Sequence, residues 1–161
     1  MKKFLKKNNG FAGIDISISM IIILIFIPTI FGIVYNVGKT NAEVKRKTKA
    51  TSIATDVLEI IKSEKYEDVV AGGTKLDLDL KEKYSESSYK NTEKEEEGYN
   101  YKYYLATGEN DEHYQIQLGI KNYYPDSSKT EDLIKQVKVR VFYSNGTRIK
   151  DIDIGIEVQN N

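Results

Sequence analysis

Residues 16–37 form an unbroken run of 22 uncharged positions dominated by Ile, Leu, Phe and Val. A helix needs about 20 such residues to cross the hydrocarbon core of a bilayer. A cleaved secretory signal has a shorter apolar region, roughly 7 to 15 residues, and ends in a small-residue cut site. This run is therefore expected to stay in the mature chain as a single span. Pro28 lies inside it and removes one backbone donor, which predicts a kink or a local loosening that membrane helices tolerate. Gly32 and Gly38 add flexibility. Beyond the run, Ala50, Ile53, Ala54, Val57, Leu58 and Ile61 fall at helical spacing and make one apolar stripe, with Thr, Asp, Lys and Glu on the other side. The pattern predicts one helix over residues 11–66, about 84 Å long at 1.5 Å per residue. Its first half lies in lipid or against other subunits, and its second half packs on a small domain. Gly72 and Gly73 supply the break that follows.

From Leu76 the period changes to two. Leu76, Leu78 and Leu80 alternate with Asp77 and Asp79, which predicts a short strand. Residues 81–98 are polar, and the run from Glu93 to Glu97 reads as a solvated or mobile loop, because like charges repel and stay wet. Tyr99, Tyr101, Tyr103 and Leu105 share one face of a second strand, and Tyr114, Ile116, Leu118 and Ile120 share one face of a third, with residues 108–112 as the turn. Asn145-Gly146 is a favoured two-residue hairpin turn. Pairing the chain around it sets Val139 opposite Ile152 and Val137 opposite Ile154, with Arg140 against Asp151 and Lys138 against Asp153. The expected fold class is α+β: a long N-terminal helix, half membrane and half amphipathic, packed on an antiparallel sheet of about four strands.

Composition narrows the function. The 161 residues carry 24 basic and 24 acidic side chains, but four lysines and no acid fall in the first ten, so removal of those ten leaves 20 against 24. No concentrated basic footprint marks a nucleic-acid binder. The chain has no cysteine, which excludes disulfides and zinc thiolates. It has one histidine and no Gly-rich phosphate loop, so no enzyme and no cofactor is expected. His113 follows Glu109, Asp111 and Glu112, residue types that could hold a divalent ion, but the calcium-loop spacing is missing and a polar hairpin turn explains them better. The tyrosine-rich strands could make a carbohydrate face; packing on a strand face is the simpler account.

The informative chemistry stands just before the apolar run. Lys2, Lys3, Lys6 and Lys7 lead to Asn8, Asn9, Gly10, Phe11, Ala12, Gly13, Ile14 and Asp15. Glycine at position 10 lets a protease cleft close on the backbone between a charged leader and a rigid helix. The basic leader favours the cytoplasmic side, although Lys39, Lys45, Arg46, Lys47 and Lys49 follow the span, so charge bias alone does not set orientation. A central membrane Asp costs roughly 2.5–3.5 kcal/mol on insertion scales. Asp15 lies only about 6 Å past Phe11 along the axis, near enough to the interface for partial relief. A cut between Gly10 and Phe11 would create a protonated amine at almost the same depth.

This arrangement resembles the amino terminus of type IV prepilins and of the pseudopilins of type II secretion and competence systems. The likeness extends through Ile53-Ala54, Leu58-Glu59 and Tyr66, about the first 68 residues. The resemblance implies cleavage after Gly10 by a membrane prepilin peptidase, N-methylation of the new terminus Phe11, and an assembly role for Asp15, the fifth mature residue, where the family usually has Glu. It implies a minor pilin or pseudopilin with other pilin subunits, the peptidase and methyltransferase, the pilus assembly machinery and a single-pass membrane as its partners. The leader would be cytoplasmic, the C-terminal domain extracytoplasmic, and the assembled subunit would lie in a cell-surface pilus or pseudopilus. The expected organisation is a leader over 1–10, a transmembrane half over 11–38, an amphipathic half over 39–71 and a sheet domain over 72–161 with its polar loop at 81–98. The alternative is an uncleaved, membrane-anchored binding or adhesion module, with Gly10 in a flexible flank and Asp15 a tolerated interfacial acid.

Overall fold

A computed structural model describes residues 9–90, 94–108, 111–123, 134–144 and 148–159. The lysines of the leader and the Asn145-Gly146 turn lie outside the described residues. Two units are distinguished, Met1–Ala42 and Glu43–Asn161. The helix α1, Asn9–Ser63, supplies the described part of the first and begins the second.

In the first unit every described side chain from Gly13 to Ala42 is exposed, including Ile21, Leu24, Phe26 and Phe31. Pro28 stands inside α1 and its ring nitrogen has no proton to give the Leu24 carbonyl. Beside it, the Thr29 hydroxyl donates to the Ile25 carbonyl at 2.9 Å. Ser17 and Thr40 donate in the same way to Gly13 and Asn36, each at 2.9 Å. These back-bonds let hydroxyls sit on a helix in an apolar run without an unpaired donor.

In the second unit α1 buries the six positions of its stripe. Ala50, Ala54, Val57 and Ile61 are fully inaccessible, and Ile53 and Leu58 nearly so. A fully buried large aliphatic side chain contributes about 1.5–3 kcal/mol relative to exposure, so this stripe dominates the attachment of α1 to the sheet. The helix stops at Ser63, three residues before the expected end, and a single 3₁₀ turn follows at Tyr66–Asp68. Gly72 then adopts φ +79°, a left-handed conformation that residues with a Cβ rarely take.

The segment expected as a strand at Leu76 is instead the helix α2, Thr74–Lys83. Leu76 and Leu80 are buried and Leu78 is 63% exposed. Leu76 and Leu80 stand four apart and share a helical face, whereas a strand would have put all three leucines on one side. Period two and period four coincide over five residues, and the flanking Lys, Asp and Glu, with Gly73 as an extended N-cap, decide for the helix.

The sheet is a five-strand antiparallel meander in the order β1-β2-β3-β4-β5. Its strands are β1 Ser85–Glu86, β2 Asn100–Thr107, β3 His113–Tyr123, β4 Ile134–Ser144 and β5 Ile149–Gln159. The strand absent from the sequence reading is β1, two residues paired to Leu105 and Tyr104. The fold is α+β as expected. Tyr104, Ile116, Val141 and Ile152 are successive partners across the sheet and belong to the cluster that α1 and α2 cover.

Tyr99, Tyr101 and Tyr103 therefore face away from α1, the opposite side from Tyr104. That outer face is also occupied. Tyr103 is 4% exposed, and its hydroxyl donates to Glu95. The Tyr101 ring lies against Gly119, where an added Cβ would come within 2.5 Å of it. Tyr99 and Tyr101 stack at 5.9 Å. The polar stretch is thus not merely solvated: residues 81–83 belong to α2, Ser85–Glu86 to β1, and the Glu96 amide donates to the Tyr101 hydroxyl at 2.8 Å.

The β4–β5 register is two residues away from the expected one. Val139 pairs with Ile154, Val137 with Ile156 and Arg140 with Asp153, while Lys138 faces Gly155. Ser144 pairs with Ile149, so four residues connect the strands rather than two. A two-residue connection would have set Val141 against Lys150; the longer one sets it against Ile152 and completes a third apolar pair. An even shift leaves every side chain on its own face, which is why the predicted faces hold although the partners do not.

Candidate processing and assembly site

Gly10 and Phe11 lie in the first turn of α1, which begins at Asn9. The first four amides of a helix have no intrahelical acceptor, and glycine costs about 1 kcal/mol relative to alanine within a helix. That turn has fewer intrahelical hydrogen bonds to lose than the helix interior. Asp15 follows Phe11 by four residues, about 6 Å along the helix axis. Its carboxyl is exposed, with no hydrogen bond or ion pair among the described residues. The apolar window of α1 is 0% buried and long enough to cross a membrane. The three predicted site residues thus occupy one short stretch at the start of an apolar helix.

The second unit holds its own first turns of α1 by two clamps. Lys150 on β5 donates to Glu43. Arg46 Nε donates to Glu112 Oε1 at 2.7 Å, and the Tyr114 hydroxyl donates to Glu112 Oε2 at 2.8 Å. The Arg46 guanidinium, with the Tyr114 hydroxyl, holds the Glu112 carboxyl below the usual carboxylate range. These pairs are separated by 107 and 66 positions, so no local spacing announces them. Each is half-exposed and contributes little beside the apolar stripe.

Glu112 and His113 line a recess of about 130 Å³ with Arg46, Tyr114, Tyr143 and Ser144. Its one carboxylate is already engaged by Arg46, and no group of three or more His, Cys, Asp or Glu side chains that could hold a metal is found among the described residues. On the outer face, Arg140 is buried with Nη2 donating to Asp153 at 2.6 Å and Nη1 donating to the Lys94 carbonyl at 2.7 Å. Glu96 accepts from Lys138 at 2.6 Å. These bonds tie down the acidic segment on which the sequence reading placed no role. Comparison with protein-family models, with curated proteins and with solved structures finds no match for this chain.

Proposed function

We propose that the chain is a minor type IV pilin or pseudopilin, a structural subunit and not an enzyme. A prepilin peptidase cuts it after Gly10, Phe11 is N-methylated, and the subunit is assembled into a pilus or pseudopilus. The observation that carries the reading is the order of features along the chain. After a lysine leader in the sequence come Gly10-Phe11 in the opening turn of α1, an Asp15 with no partner among the described residues and an exposed apolar span, leading into a stripe that docks on a sheet domain. The span needs a bilayer or other subunits to cover it. The acid needs a cation, and cleavage creates one at the Phe11 amine. Pairing the Phe11 amine of one subunit with Asp15 of its neighbour sets axial register: an isolated carboxylate at that depth is costly, and a matched one is not.

Mass spectrometry of the membrane-extracted chain tests the processing step. The expected species begins at N-methyl-Phe11; recovery of mainly the uncut amino terminus would favour the membrane-anchored binding module. Asp15→Ala is expected to be cleaved normally yet to enter filaments poorly. Filament content equal to that of the parent chain would remove the pairing role.

A further inference from the structure

Within the second unit, the side of α1 away from its buried stripe carries a second regular pattern. Residues 45, 49, 52, 56, 59 and 63 follow at alternating steps of four and three, the spacing of a helix–helix seam. They read Lys, Lys, Ser, Asp, Glu, Ser. All are exposed except Asp56, which is half-exposed and contacts Lys83 at 3.0 Å. Lys45, Lys49 and Glu59 have no ion pair among the described residues. The seam is thus basic at one end and acidic at the other, and the exposed side chains between the two ends are hydroxyls, at Thr51, Ser52 and Thr55.

We infer that this seam is a contact between copies of the chain, in which Lys45 and Lys49 of one copy lie against Asp56 and Glu59 of the next. The inference rests on the filament reading for one premise, that neighbouring α1 helices run parallel because each copy enters the membrane in the same direction. Parallel helices in register would oppose lysine to lysine and acid to acid. Moving one copy along the axis by ten to eleven residues, about 16 Å, brings the basic pair beside the acidic pair; this neighbour is a different one from that engaged by the Phe11–Asp15 pairing, which sets an offset of four residues, about 6 Å. The shift has a sign, so the two contacting surfaces are different. Each copy offers its acids at one end of the seam and its lysines at the other, a heterologous contact rather than a two-fold one. Short hydroxyl side chains allow the helices to approach closely. The domain's own charge agrees: beyond residue 49 there are 15 basic and 22 acidic side chains, so the Lys45–Lys49 end faces a net acidic neighbour.

The chain contains no cysteine, which makes the geometry directly readable. Copies carrying Lys49→Cys and Glu59→Cys are co-expressed in the native host with different tags and oxidised in the membrane. The staggered contact predicts a mixed disulfide dimer joining 49 to 59 as the main product. Dimers joining 49 to 49 or 59 to 59 in preference would overturn it. Charge reversal gives a second reading that needs no new bond. Lys49→Glu and Glu59→Lys should each lower assembled chain about fivefold, the scale of one exposed ion pair turned repulsive, and the double reversal should recover most of it. A double variant no better than either single one would also sink the contact. The filament reading fails separately, by absence of a mature Phe11 terminus and of any assembled parent chain, and the seam would fall with it.

Discussion

Tyr84 shows how a single hydroxyl can be a liability. It is 7% exposed, its oxygen is buried, and it has no hydrogen-bond partner among the described residues. A buried unpaired hydroxyl loses its hydration without return, so Tyr84→Phe is expected to stabilise the domain by about 1 kcal/mol in urea unfolding. Destabilisation would mean that the oxygen is bonded after all. Burial, with the charge of Asp56 nearby, also pushes the Tyr84 phenol up to about 12. Tyr103 is pushed up to about 12 by burial and by Glu95, and Tyr104 is raised by burial and by Asp77. A phenol whose pKa is raised on folding contributes stability that is complete below its unfolded value near 10 and lost as pH rises through the folded value. Ultraviolet titration should therefore resolve a late-ionising group of tyrosines among the 12, and its disappearance in urea should mark unfolding.

At the scale of elements, α2 is where local pattern and structure part. The test is direct: Leu76→Ala should cost about 2–5 kcal/mol of stability and Leu78→Ala less than about 0.5, because only the first leaves a cavity. A strand would have made the two substitutions alike. What was legible in the sequence was periodicity sustained over many residues. The stripe from Ala50 to Ile61 and the alternation in β3, β4 and β5 needed no tertiary knowledge. Alternation over five residues at Leu76 was too short to separate two periods. The hairpin partners failed for another reason: a favoured turn dipeptide argued for one loop length, and a third apolar pair, Val141 with Ile152, outweighed it. Gly10, Phe11 and Asp15 could be singled out because they fall within six residues. The clamps of Glu43 and Arg46 were not, because their partners are brought near only by the sheet.

The molecule has an apolar span that no described residue covers and a domain held by its own core. Several surface carboxylates of that domain are depressed by cationic partners. Arg46 lowers Glu112, Lys138 lowers Glu96, Lys81 lowers Glu86 and Lys75 lowers Glu64. A carboxylate depressed on folding stabilises fully above its unfolded value, about 4.3, and loses that contribution as pH falls through the folded value. The domain should hold its stability from neutrality down to about pH 4.3 and lose it progressively below. Glu112→Gln should shallow that acid limb when melting temperature is followed against pH; an unchanged limb would show that the Arg46 clamp carries no stability.

The position of the clamps has a mechanical meaning. Both stand before Ala50, so tension transmitted along α1 into the domain meets Glu43 with Lys150 and Arg46 with Glu112 ahead of any packed side chain. Long, flexible ion pairs can stretch, part and re-form without disturbing a core, whereas a displaced apolar stripe opens cavities. The domain is thus joined to this stretch of α1 by compliant ion pairs at its start and by stiff packing beyond them.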